Sequence, residues 1–410
     1  MENCLAGLKS LSYHESPPMK FSCKTSDFLH ALQLASRAIS GQQALPILNN
    51  VLIEVEGKRC TVSATDLELS IVTSFEASIE NEGAITVPAK AILNFAQYNT
   101  DTEVLLETIE GTQLKCVSSH AKTLISGEAS NEFPTISKIE KENSLSIATG
   151  PLLEALNKVT FSSARSTLRP VLAGAYARIE KGKLILVATD SYRLSEFAVQ
   201  ADLDASDISC IIPTKVLEEL RAVLGAQKPG KEEKKEEKEE KDEEESSKKK
   251  TKQEMKIVLS SQQIELQVGS TRLLSRLIEG KFPDYQQIIP KEVKTRAVLP
   301  VKDLTTVVKR MHYFAKEMNN NLTLSFTKQG VHIATPQTQL GKDETTLDAE
   351  VTGNDNKIAL SSSYLLDFLG HMEEELVEVG VTDSMHPALF RLPSSDRYLH
   401  LIMPLRIQEE

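Results

Sequence analysis

The chain repeats itself at nearly one spacing, and this constrains its fold more than any composition does. "LPIL" at Leu45–Leu48 answers "RPVL" at Arg169–Leu172, with Pro46 and Pro170 lying 124 residues apart. Asp66 of "VSATDLEL" and Asp190 of "LVATDSYRL" share that offset, as do Leu29 and Leu153. "TVPAK", ending at Lys90, answers "IIPTK", ending at Lys215, at 125. Phe133-Pro134 then answers Phe282-Pro283 at 149, so about 24 further residues enter between Lys215 and Phe282. A third, fainter copy follows. "GVHIATPQTQL" (Gly330–Leu340) repeats the Thr-Asp strand with Pro336 in place of Asp, and "SSSYLLDFL" (Ser361–Leu369) repeats "PTKVLEEL" (Pro213–Leu220). Internal repetition on this scale means duplicated domains, and 410 residues are long enough for three of them.

Each copy has one internal order. A helix opens it: TSDFLHALQLASRAIS (Thr25–Ser40), with Phe28, Leu32, Ala35 and Ile39 on one stripe and a Thr or Ser cap. Its counterparts are PLLEALNKVTF from Pro151 and VKDLTTVVKRMHYF from Val301. Strands such as VLIEVEG and LILVATD follow, with Glu-Gly and Lys-Gly turn signals. A second helix comes after the Val-Pro or Ile-Pro step, where proline is tolerated in the first helical turn. This predicts an α+β fold of three repeated domains, each of antiparallel sheet plus two helices laid on one face. The expected boundaries are 19–140, 141–292 and 293–410.

The extra residues of the middle copy are plain in the sequence. Residues 231–250 hold 8 Lys and 10 Asp or Glu, with two serines as the only uncharged residues. Such a stretch cannot bury apolar area to offset its ordering entropy. Segment 229–252 reads as a charged, disordered loop insertion, with a docking tail for a charged partner as the alternative. Because closure entropy grows only logarithmically with loop length, deleting it should lower the thermal midpoint by less than about 5 °C. Residues 1–18 read as a disordered N-terminal extension without the apolar core of a signal peptide. Met19-Lys20-Phe21 looks like a second possible start entering a strand.

Five scattered cysteines (Cys4, Cys23, Cys60, Cys116 and Cys210) fit neither a zinc site nor a disulfide framework. They suit a reduced, cytoplasmic setting, and no apolar run reaches membrane-span length. A net charge of −11 argues against a protein that coats nucleic acid with a basic surface. The helix faces differ from that average. His30, Gln33 and Arg37 lie on the first helix, and Asn157 and Lys158 on its second counterpart. Lys302, Lys309, Arg310 and His312 lie on the third, and Lys90, Lys215 and Arg221 on the later helices. They read either as ordinary solvated surface or, together, as a weakly basic lining.

Carboxylates near strand ends (Asp66, Glu68 and Asp190) leave an enzyme conceivable. However, there is no glycine-rich phosphate loop, metal-ligand spacing or nucleophile motif, and these carboxylates recur with the repeat. No cofactor or metal is expected. The stronger rival to a nucleic-acid partner is a peptide-binding scaffold that never meets DNA.

Taken in order, "LPIL", "ATDLEL", "VPAK", "LRPVL", "ATDSYRL", "FPDY" and "MPLRI" make the chain from Met19 to Ile407 resemble the beta subunits of bacterial DNA polymerase III, the sliding clamps. The resemblance implies a DNA clamp fold that closes into a ring as a head-to-tail homodimer around duplex DNA, bound without regard to sequence. Twelve helices would line the hole and the sheets would form the outer wall. It implies a non-catalytic processivity factor for the polymerase III alpha subunit, with the clamp loader, other polymerases and repair proteins as further partners. These would dock by short peptides in a cleft between the second and third domains. Carried over, the cleft comprises Leu172, Thr189, Ser191, Tyr192, Arg193, Leu194, Pro283, Ile288, Ile402, Met403, Pro404, Leu405 and Arg406. Leu172, Leu194, Ile288 and Met403 would make its apolar pocket. Arg193, Arg406 and Thr189 would bind peptide carbonyls or a ligand's glutamine. The DNA-facing residues would be Arg37, Lys90, Lys158, Arg169, Lys215, Lys309 and Arg310. The chain departs from some relatives at Gln42 and Gln43, Pro170 and Val171, and Gln287, and it extends by Gln408, Glu409 and Glu410.

Overall fold

Each repeat opens on a strand rather than on the expected helix: Lys20–Lys24, Asn143–Ala148 and Thr295–Pro300 run straight into the first helices, whose apolar stripes need a sheet to cover. In the computed structural model, α1 (Thr25–Ala35) buries Phe28, Ala31, Leu32, Leu34 and Ala35, the three-to-four spacing of one helix face. No Thr or Ser side chain caps it, contrary to expectation. Lys24 is the N-cap, and the Thr25 N–H donates to the Thr102 carbonyl at 2.9 Å, so a tertiary contact takes the place of a cap. The remaining helices are α2 (Ala89–Tyr98), α3 (Thr149–Val159), α4 (Thr214–Ala226), α5 (Val301–Ala315) and α6 (Ser362–Leu369). Pro88, Pro213 and Pro300 each end a strand one place ahead of a helix, rather than standing in its first turn. Pro151 does lie in the first turn of α3, where a missing N–H costs no helical bond.

The structure describes residues 18–39, 41, 45–109, 112–136, 139, 143–166, 168–201, 208–226 and 254–407. The charged insertion at 231–250, residues 1–17 of the terminal extension, Gln42, Gln43 and Gln408–Glu410 lie outside these. Among the described residues no helix is long and apolar enough to cross a membrane.

The chain separates into two compact units. The first comprises the described residues within 18–136 together with 269–273, the second those within 139–268 and 274–407. In the first unit, the strands Glu128–Ala129, Gly83–Pro88, Asn50–Glu56, Arg59–Thr65 and Leu69–Glu76 are hydrogen-bonded in that order, all antiparallel. A separate five-stranded sheet ends on the edge strand Lys122–Ser126.

The second unit is organised by one nine-stranded sheet that runs from the middle repeat into the third. Its joint is the antiparallel pair Arg193–Gln200 and Ser395–Ile402, with Arg193 opposite Ile402 and Phe197 opposite Tyr398. The strands Gly174–Glu180 and Lys183–Thr189 meet in a two-residue turn, with Lys181 and Gly182 at φ 50° and 72°. Both angles are positive, the backbone that twisted hairpins need, and glycine adopts it without steric cost. A four-stranded sheet in the same unit ends on the edge strand Glu344–Leu347.

Candidate functional site

The repeated phrase turns out to be a turn that builds itself. In the first copy the Thr65 hydroxyl donates to the Leu69 carbonyl (3.2 Å) and accepts from the Leu67 N–H (3.0 Å). Asp66 Oδ1 accepts from the N–H groups of Glu68 (3.1 Å) and Leu69 (2.8 Å). The second copy repeats every bond. Thr189 Oγ1 donates to the Arg193 carbonyl and accepts from the Ser191 N–H, at 2.6 and 3.1 Å. Asp190 Oδ1 accepts from Tyr192 and Arg193, at 2.9 and 3.0 Å. The third residue of each turn is left-handed, Leu67 at φ 74° and Ser191 at φ 80°. The Thr and Asp side chains hold that backbone by satisfying its donors. Both carboxylates accept from backbone donors of their own turn. In the third copy the Thr335 hydroxyl accepts from the Asp343 N–H (3.0 Å) across a longer loop.

The second turn carries an aromatic surface, where the first exposes Leu67. Tyr192 is 62% exposed and stacks at 6.3 Å on Tyr364 of α6. The C-terminal segment closes onto the same place: the Met403 N–H donates to the Tyr192 carbonyl (2.8 Å), and the Leu405 N–H to the Ala359 carbonyl (2.7 Å). Arg169 reaches across to the Ser191 hydroxyl at 3.2 Å. Beneath them Leu172 and Leu194 are buried in one cluster with Phe282 and Tyr285. Tyr285 starts the short helical turn that presents Ile288 to solvent, and Pro283 is exposed just before it. Met403, Pro404 and Leu405 are half-buried and Arg406 is exposed. These contacts bring Leu172, Thr189–Leu194 and Met403 together, with Leu172 and Leu194 as a closed floor rather than an open pocket, while Pro283 and Ile288 flank the buried Tyr285. Ile402 is fully buried and belongs to the core.

Two expected roles are revised. Arg193 is only 6% exposed and is not a free donor for a peptide. Its Nε donates to Asp190 (3.1 Å) and its Nη1 to Asp367 (2.7 Å). Its guanidinium lies 4.9 Å from the Tyr364 ring and 5.4 Å from the Phe161 ring. The Thr189 hydroxyl is likewise taken up by the turn. Sequence reasoning missed Tyr364 and Asp367, because a helix stripe does not reveal which strand end its polar residues meet.

The cations assigned to DNA divide sharply. Lys158 is corrected: it is 3% exposed, donates to Glu374 at 2.7 Å and sits 5.4 Å from the Tyr398 ring. Its long stem follows the apolar stripe of α3 inward, so the charge needs a buried partner. Arg310 is exposed, but its charge is met by Asp343 through bonds of 2.8 and 3.0 Å. Arg37, Lys90, Arg169 and Lys309 are exposed, and Lys215 is half-buried.

Among the described cysteines three are buried and Cys210 is half-buried. Cys23, Cys60, Cys116 and Cys210 are unbridged, and burial pushes Cys23, Cys116 and Cys210 up to about 12. Among the described residues no group of three His, Cys, Asp or Glu is placed to hold a metal.

Comparison with known proteins agrees with this architecture. Three models of the DNA polymerase III beta subunit match in order: the N-terminal domain over residues 19–137, the central domain over 146–230 and the C-terminal domain over 286–406. The beta sliding clamp of Synechocystis is 26% identical over 95% of this chain and all of its own length. That of Vibrio cholerae is 25% identical over the same share of this chain and all of its own. Among solved structures, the DNA polymerase sliding clamp of Bacillus subtilis superposes with a TM-score of 0.85 at 24% identity, covering 95% of this chain and 100% of that one. The sliding clamp of Pseudomonas aeruginosa bound to griselimycin gives 0.83 at 26% identity, with the same coverage of both chains. With all three domain models matched in sequence over a fold built from the same repeats, the chain belongs to the DNA polymerase III beta subunit family, the bacterial DNA sliding clamps.

Proposed function

We propose that two copies close head-to-tail into a ring around duplex DNA, and that each copy captures short peptides in the cleft of its second unit. Three domains, divided near residues 140 and 292, would give the ring six. Its partners would be the polymerase alpha subunit, the clamp loader and other polymerases and repair proteins. The protein would serve as a processivity factor and catalyse no step of its own.

The observation that carries the peptide reading is the contrast between the two turns. They share every backbone bond, yet the second sets an exposed Tyr192 on a half-buried Tyr364 over a buried leucine floor, with the C-terminal Met403–Arg406 segment laid beside it. A large apolar anchor inserted between such groups is the usual source of peptide affinity. The ring reading is supported by two sheet edges, Lys122–Ser126 in the first unit and Glu344–Leu347 in the second. Leu124 is 53% exposed on the first, and Tyr313 on α5 is 64% exposed. Unlike edges from two copies make a heterologous contact, which closes only if the rotation fits.

The test is fluorescence anisotropy with a labelled peptide from the organism's own replicative polymerase. Met403→Ala with Tyr192→Ala should weaken binding by at least about 30-fold, since losing even one anchor that the peptide covers costs about 2 kcal/mol or more. The variant should still elute at about twice the chain's 45.3 kDa. Unchanged affinity in the double variant sinks the cleft, and a monomeric parent protein sinks the ring.

A further inference from the structure

We infer that His400 is a positioning residue for the peptide cleft and works only in its neutral form, so that mild acid loosens the joint beneath the cleft and releases the peptide. This rests on the peptide-binding reading above.

His400 sits on the joint strand Ser395–Ile402, three residues before Met403, and is fully buried. Its Nδ1 lies 2.8 Å from the Ser195 hydroxyl, which lies 2.8 Å from the Ser162 hydroxyl. All three residues have no exposed surface. Ser195 stands two residues along from Arg193 on the facing strand, opposite His400 in register. This chain of hydroxyls and imidazole therefore links the strand that begins directly after Tyr192 to the strand that leads to Met403. The ring is stacked on Phe368 (4.7 Å) and flanked by Phe161 (5.5 Å) and Phe390 (6.0 Å).

His400 Nε2 is buried and has no hydrogen-bond partner. In a neutral ring one unpaired nitrogen is tolerable. A second proton would make both nitrogens donors, with one N–H pointing into an apolar cage. The charges facing the site do not help. Arg193 comes from the partner strand, His371 follows α6 and stacks on Phe161 at 4.2 Å, and Lys158 comes from α3. The carboxylates nearby are already engaged, Asp190 and Asp367 by Arg193 and Glu374 by Lys158. Tyr398, on the same strand as His400, is buried and its hydroxyl is held un-ionised by that burial. Burial first, then Arg193 and His371, accordingly hold the His400 pKa well below its ordinary value of 6.5.

The sign follows from linkage. An unfolded or opened joint takes up the proton near the ordinary pKa, and the closed joint does not. Stability is therefore full above about pH 6.5 and lost as the pH falls below it, by up to about tenfold in the closed-to-open ratio per pH unit. The ion-paired carboxylate Glu374 loses its contribution only below its ordinary 4.5, because burial, the largest single influence, is outweighed by the Lys158 bond, backbone N–H bonds and the Lys158 charge together. The two windows are separate.

The experiment compares wild type and His400→Phe, both as the full chain, between about pH 8 and pH 5. Peptide affinity and the unfolding midpoint are each normalised to the same protein's value at pH 8. By pH 5 the wild-type closed-to-open ratio, read from unfolding, should have fallen by about tenfold or more relative to that of His400→Phe, with peptide affinity falling in the wild type alone. Phenylalanine keeps the ring stack and has nothing to protonate. Parallel profiles in the two proteins overturn the inference. If His400→Phe does not fold, His400→Asn serves the same comparison. If wild type binds no peptide at pH 8, the cleft reading fails instead, and the two unfolding profiles still decide whether His400 is proton-sensitive.

Discussion

Loaded onto a nicked circular duplex by a clamp loader and ATP, the protein should stay bound through gel filtration in high salt and leave once the circle is cut. A binder that depends on phosphate contacts behaves the other way. With six or more contacts its affinity falls by about 10³ between 50 and 200 mM salt, and DNA topology does not matter to it. Three features favour enclosure. The net charge is −11. Lys158 is buried against Glu374 and Arg310 is matched by Asp343, so two of the seven expected cations are already engaged within the chain. Weak contacts also suit a ring that must slide, since each neutralised phosphate adds to the affinity that resists movement. Equal retention on circular and linear DNA would refute the ring for this chain, whatever its relatives do.

The sequence was most legible where a physical pattern repeats. Three amphipathic helices and the Thr-Asp turns come from local chemistry: apolar stripes at helical spacing, and side-chain acceptors two and three residues ahead of the donors they satisfy. Start positions were less legible. α1 begins against the Thr102 carbonyl instead of a side-chain cap, and nothing within a few residues of Thr25 announces that contact. The cleft was readable as a set of residues but not as a set of roles. Arg193 looks in sequence like a free hydrogen-bond donor, yet Asp367, 174 positions away, pins it. Lys158 misled for the same reason. A lysine at the edge of an apolar stripe reads as solvated until the segment carrying Glu374 is folded over it.

That buried pair sets the last and larger stability effect. Glu374→Ala should destabilise the second unit by about 3 kcal/mol, because it strands a buried ammonium whose other neighbours are the Met372 sulfur at 4.0 Å and the Tyr398 ring. The lower end of the range for broken buried pairs applies because the Glu374 side chain is itself 30% exposed and water can reach its end of the pair. For a unit of this size that is a midpoint lower by roughly 5–10 °C. Glu154–Arg397 is the matched control. It also joins the middle and third repeats at 2.8 Å, but its side chains are 30% and 46% exposed, so Glu154→Ala should cost less than about 1 kcal/mol. Adding Lys158→Met to Glu374→Ala should restore most of the loss, since the charge that needed a partner is gone and an apolar chain of similar length fills its channel. Calorimetry of the four proteins at neutral pH decides it. A Glu374→Ala midpoint no lower than that of Glu154→Ala, or no recovery in the double variant, would mean that Lys158 finds water or another partner when the carboxylate is removed.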